Sequence, residues 1–199
     1  MRVCAPIPIL GCMGEANYLS NQLLIAMPSL SDSHFSQTVT LVCEHSERGA
    51  LGIVLNKPLG MKLGDVLSQM KLEASDSAVG EMPVLRGGPV HGDRGFVLHR
   101  PGGVWDSTHR VSPVVQVTTS RDVLTAMANG TGPADAFIAL GYASWEAGQL
   151  ERELLENSWL TLPMNDRIVF ELPFEARWNA AWQLLGIDSS RVSLVAGHA

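Results

Sequence analysis

No stretch of this 199-residue chain concentrates positive charge. Its 14 Lys and Arg are outnumbered by 20 Asp and Glu, for a net charge of -6. The deficit lies in the second half, where 6 basic residues face 11 acidic ones. Proteins that grip a nucleic-acid backbone gather cations on one face, so direct nucleic-acid binding is not expected. Duplex DNA should show no sub-micromolar shift at physiological salt. Cysteine is equally sparse. Cys4, Cys12 and Cys43 are odd in number, irregularly spaced, and form no C-x-x-C pair. That pattern suits a reducing, cytoplasmic setting better than a disulfide framework. No apolar run approaches the roughly 20 residues of a membrane-spanning helix, so no membrane association is expected. The six histidines form no H-E-x-x-H and no zinc spacing with cysteine, so neither a metal nor a cofactor is expected.

What is present is ample material for a core: 46% hydrophobic residues, with five Trp and five Phe. This length suits one domain burying roughly 70% of its unfolded surface. Residues 1–18 show no period and read as a poorly ordered leader, with residues 19–199 as the single domain. Leu23 to Met27, Gln37 to Cys43 and Ala50 to Leu55 read as strands, the last two as a hairpin across Ser46–Gly49. Leu63, Val66, Leu67 and Met70 mark a short helix, and 73–81 a polar loop. Pro83–Leu85, Gly95–His99, Val114–Thr118 and Ala136–Leu140 read as further strands. Ser120 is placed as the cap of a helix carrying Val123, Leu124 and Met127. Ser144 is placed as the cap of another, running to about Glu156. Arg167 to Glu171 alternates like a strand. Phe174, Trp178, Ala181, Trp182 and Leu185 mark the clearest amphipathic helix, ended by Gly186. Arg191 to Ala196 is read as a last strand. Strands outnumber helices without alternating strictly with them, which argues for α+β.

Three constellations invite chemistry. Cys43 and His45 would share one strand face by period 2. An imidazole beside a thiol can lower its pKa for redox sensing, whereas a thiol buried on the apolar face would be inert. Burial is the favoured reading, with a thiol pKa at or above about 8.5. Arg86-Gly87-Gly88-Pro89 with Asp93-Arg94 offers two guanidiniums beside flexible backbone. It reads either as a site for a small anion or as a tight turn with Asp93 and Arg94 paired internally. Gly141-Tyr142-Ala143-Ser144-Trp145 lacks the central Ser of a nucleophile elbow, so Ser144 is a candidate anion contact at a helix start rather than a nucleophile.

Several of these segments resemble, in order, the bacterial YqgE/AlgH family. They are Leu24-Ile25-Ala26-Met27-Pro28, Cys43-Glu44-His45, Gly49 to Pro58, Gly87-Gly88-Pro89, Asp93 to His99, Leu140 to Trp145 with Gly148-Gln149-Leu150-Glu151, Asn157-Ser158-Trp159-Leu160, and Ala196-Gly197-His198-Ala199. The resemblance runs from about Leu19 to Ala199. It implies a bacterial cytosolic protein and an α+β fold, a bifurcated mixed sheet curled into a barrel-like shape with flanking helices. It implies no particular reaction. The AlgH name implies regulation of transcription, but the chain shows no helix-turn-helix signature or basic stripe in its support. The leading expectation is a regulatory or ligand-binding domain without catalysis of its own, serving a small anionic ligand or a protein partner. A thiol redox sensor at Cys43, a transcriptional regulator and an unrecognised enzyme follow in that order.

Overall fold

A computed structural model describes residues 18–187. The proposed strand at 191–196, Cys4 and Cys12 lie outside the described residues. So does the leader, except Tyr18, which lies edge-on against the His45 ring.

In chain order the strands and helices are β1 Gln22–Ala26, β2 Val39–Ser46, β3 Gly49–Val54, β4 Pro58–Lys62, α1 Leu63–Gln69, α2 Ser77–Gly80, β5 Pro83–Arg86, β6 Val90–His99, β7 Thr108–Arg110, β8 Gln116–Thr118, α3 Arg121–Ala128, β9 Ala136–Trp145, α4 Gln149–Leu155, β10 Trp159–Pro163 and α5 Arg177–Leu184. The strands join in the order β10-β1-β2-β3-β9-β6-β8-β7, with β5 on β9 and β4 on β5. All pairings are antiparallel except β5 with β9. The expected bifurcation is in β9. Its first half lies between β5 and β6, where Leu140 is opposite both Arg86 and Gly95. Its second half pairs with β3, from Ala143 opposite Gly52 to Trp145 opposite Ala50. Between them Gly141 adopts φ +75, a left-handed conformation that glycine accepts at little cost.

The sheet curls into a half-barrel and buries apolar side chains on both faces. Inside the curl, Leu23, Ile25, Leu41, Ile53, Leu98 and Ala139 pack against Ile168, Val169 and Trp182. On the outside, α1 and α3 bring Leu63, Leu67, Val123 and Leu124 onto Val84, Val97 and Ile138. A second outer cluster joins Val42, Ala143, Trp145 and Trp159 to Leu150 of α4. The Glu153 carboxylate holds this cluster together. Its Oε2 accepts from the indole N–H groups of Trp145 at 2.9 Å and Trp159 at 2.8 Å. Its Oε1 accepts from the Gln149 amide at 2.8 Å. Glu153→Ala leaves two buried indole donors unpaired, and the expected loss in urea unfolding is about 2 kcal/mol.

Several expectations are corrected. The polar loop at 73–81 contains α2, capped by Asp76, whose carboxylate accepts from the Ala78 N–H. Residues 167–171 form a π-helical turn, not a strand. Ile168 and Val169 are adjacent and both buried in the same core, which a period-2 strand does not allow. Ser144 does not cap a helix. It lies in β9, exposed, and α4 begins only after Gly148. Ser120 occupies the cap position of α3, but its hydroxyl bonds the Asp122 carboxylate instead of the backbone. Among the described residues no helix is long and apolar enough to cross a membrane.

Candidate functional site

Cys43 and His45 do not share a face. A bulge shifts the register of β2 against β3 between Val42 and Glu44, and one extra residue reverses the alternation beyond it. Cys43 therefore points into the half-barrel and is 3% exposed. Burial pushes its thiol from 9.0 up to about 12. The bulged Cys43 carbonyl accepts instead from His109 Nε2 at 3.2 Å. His45 lies against the opposite cluster. Its Nδ1 accepts from the Leu19 N–H at 2.9 Å, so the ring proton sits on Nε2, which donates to Glu151 at 2.9 Å. His45 is thus a buried clasp between the start of β1, β2 and α4, with no part in activating the thiol.

The glycine-rich stretch forms a close backbone crossing. A Cβ on Gly87 would lie 2.2 Å from the Gly141 carbonyl oxygen, and one on Gly88 2.1 Å from the Tyr142 carbonyl carbon. The Gly87 N–H donates to the Leu140 oxygen, and the Gly87 carbonyl accepts from Val54. No space remains at this crossing for an anion.

The two arginines beside it are separated by the sheet. Leu85 faces the interior of the curl and Val84 the outer face. Alternation therefore places Arg86 outward with Val84. Arg94 lies over the Phe96 ring, 5.4 Å from its centroid, toward the interior face. Asp93 and Arg94 form no ion pair with each other, so this segment is not a turn closed by their internal pairing. Residues 91–94 bulge out of the β6–β9 ladder, whose register shifts between Val90 and Gly95. His91 adopts φ +48 there and stacks on Tyr142 at 5.9 Å. The sequence-selected set Arg86, Gly87, Gly88, Arg94 and Ser144 is therefore not one site.

The bulge borders a cleft that no single motif announces. It lies on the outer face between α1 and α3 and has a volume of about 280 Å³. Met70, Val97, Leu124, Ile138 and Leu140 give it an apolar floor. Gln69, Asp93, Thr119 and Arg121 give it a polar rim. Arg121 donates through Nη2 to the Met70 carbonyl at 2.7 Å, bridging α3 to α1. The Thr118 hydroxyl is already engaged by the buried ring of His99, and Ser120 by Asp122. Asp122 is held below the usual carboxylate range, first by the Ser120 hydroxyl and then by backbone N–H groups. The Asp93 carboxylate has no ion pair or hydrogen bond among the described residues. Sequence reasoning missed this cleft because its rim comes from three separated segments with no common spacing. Of the rim residues only Asp93 lies in a stretch with a distinctive local pattern, beside the glycine pair and the two arginines. No group of three or more potential metal ligands occurs among the described residues.

The model of the AlgH-like family matches residues 23–190. A UPF0301 protein of Thioalkalivibrio sulfidiphilus is 54% identical over 187 residues, 94% of this chain and 100% of its own length. Another, from Methylococcus capsulatus, is 50% identical over 184 residues, 92% of this chain and 98% of its own. The solution structure of the AlgH protein from Pseudomonas aeruginosa is similar with TM-score 0.76 and 47% identity, covering 94% of this chain and 98% of that one. A crystal structure of a Corynebacterium diphtheriae protein, 19% identical, shares the fold with TM-score 0.66 over 86% of this chain and 90% of its own.

Proposed function

The chain belongs to the AlgH-like family, and from that premise we propose that it is a ligand-binding regulatory domain whose ligand occupies the cleft between α1 and α3. The observation that carries this reading is the lining of the cleft. An apolar floor surrounded by a few polar groups with spare hydrogen-bonding capacity is the usual form of a small-molecule site. At about 280 Å³ it suits a ligand smaller than a drug-sized molecule.

The bulge supplies the regulatory half of the proposal. Asp93 lines the cleft, while its neighbour Arg94 covers Phe96 and His91 stacks on Tyr142. A ligand that engages Asp93 therefore acts on the same four-residue segment that displays Arg94 and His91 to a partner. The redox alternative needs an exposed, stabilised thiolate, and a thiol 3% exposed and pushed up to about 12 speaks against it.

A panel of short aliphatic acids, amines and amino acids, titrated into nitrogen-15-labelled protein, tests the reading. At least one is expected to shift amides at 93–97, 118–124 and 138–140 in a saturable way. Thr119→Trp, placed at the exposed rim, should remove those shifts without altering the rest of the spectrum. Should no panel member perturb these amides, the cleft is not the ligand site.

A further inference from the structure

The rim of the cleft carries two opposite charges that do not neutralise each other. Asp93 and Arg121 line the same small space, yet neither forms an ion pair there. Arg121 spends Nη2 on the Met70 carbonyl, which fixes the guanidinium while leaving its other N–H groups available. Among the described residues Asp93 is exposed and without a partner, carried on a segment bulged out of the sheet. The cleft they share has an apolar floor that includes Leu124, Ile138 and Leu140.

From this arrangement we infer that the ligand is a small α-amino acid with a branched aliphatic side chain. Its ammonium meets Asp93, its carboxylate meets Arg121, and its side chain covers the floor. Size agrees with charge. The cleft, at about 280 Å³, has room for a molecule of this size. A ligand with one charge leaves the other rim group unanswered. A simple anion also meets unfavourable charge, since Asp93 lines the cleft and Asp122 borders it through Ser120. A simple amine leaves the pinned guanidinium facing like charge. Only a zwitterion satisfies both, and charge-assisted hydrogen bonds are the stronger kind. The Thr119 hydroxyl and the Gln69 amide, also on the rim, can serve the remaining carboxylate oxygen.

This inference rests on the cleft being the ligand site, and the experiment separates the two claims. L-leucine, isocaproate, which lacks the amine, and isoamylamine, which lacks the carboxylate, are each titrated into the labelled full-length chain. Leucine is expected to shift the cleft amides with an affinity at least about ten-fold above either single-charge probe, the worth of one charge-assisted bond. Asp93→Asn, at an exposed position, should weaken leucine by about ten-fold and leave isocaproate no weaker. If isocaproate or isoamylamine shifts the cleft amides as well as leucine does, or does so where leucine does not, the zwitterion assignment is wrong while the cleft reading stands. If none of the three does while another molecule of the wider panel shifts the cleft amides, the branched amino-acid assignment falls and the cleft reading stands. If nothing in the panel shifts them, or if the leucine shifts survive in Thr119→Trp, the cleft reading falls with it.

Discussion

Gly88→Ala is expected to leave the chain largely unfolded at room temperature, with a loss of at least about 4 kcal/mol, a large part of the stability of an ordinary domain. The added Cβ would sit 2.1 Å from the Tyr142 carbonyl carbon, 2.3 Å from its oxygen and 2.4 Å from the Ala143 nitrogen. All three atoms are backbone, so no side chain can swing aside. The strand they belong to is also fixed, since β9 at this point is paired with β3. Relief would require β9 to move away from the Gly87–Gly88 segment. That would break the bonds from Gly87 to Leu140 and from Val54 to Gly87. Gly92→Ala, four residues on, is the control. Its Cβ would meet nothing within 4 Å, and the expected change is within about 1 kcal/mol in either direction. Circular dichroism and urea unfolding of the pair measure the contrast. A folded Gly88→Ala protein with near-normal stability would show that the crossing is not close-packed.

The same crossing shows what the sequence could reveal. Strand and helix positions were largely legible because period-2 and period-3.6 patterns are local: β1, the β2–β3 hairpin, α1, α3 and α5 lie where the apolar spacing places them. The Gly87-Gly88 pair was also legible as unusual, but not what it was for. Two glycines that permit close approach look alike whether the neighbour is a phosphate or a strand distant in sequence. The same ambiguity misplaced Ser144. A Ser before an acidic, helix-forming run looks like a cap, and only the pairing of Ala143 to Trp145 with β3 shows that the strand continues past it. Arg177 was hidden for a related reason. It lies within the amphipathic helix beside the tryptophan stripe, yet it is 2% exposed. It donates to the Leu55 and Leu172 carbonyls and lies against the rings of Phe137 and Phe174. Burial lowers its pKa to about 10. Phe174, three residues earlier, is at helical spacing, but Leu55 and Phe137 are distant in sequence, where no local pattern reaches them. The cleft was the least legible feature, because its polar rim is assembled by the curl of the sheet and by two helices packed side by side.

Cys43 leads to the other large effect, which appears only at alkaline pH. Burial raises the folded-state pKa of its thiol to about 12 from 9.0. Below the lower value the thiol is neutral in both states and contributes no pH dependence. Between the two values the unfolded chain releases this proton while the folded chain keeps it. The folded state then binds more protons, and stability falls as pH rises, by about 1.4 kcal/mol per pH unit for one group. The fall levels off once the folded thiol ionises as well. Lysine and tyrosine titrate over the same range, so the effect is read as a difference between two proteins. Both carry Cys4→Ser and Cys12→Ser, and one also carries Cys43→Ala. The Ala variant starts less stable near neutrality, because it lacks the buried sulfur. From about pH 9 to pH 11 the gap should narrow by about 2 kcal/mol, because only the Cys43 protein has this proton to lose on unfolding. Thiol labelling of the same Cys43 protein at pH 6 should be slow and limited by opening of the fold. Parallel stability profiles together with fast labelling would mean an accessible thiolate in the folded state, and would restore the redox reading in place of ligand binding.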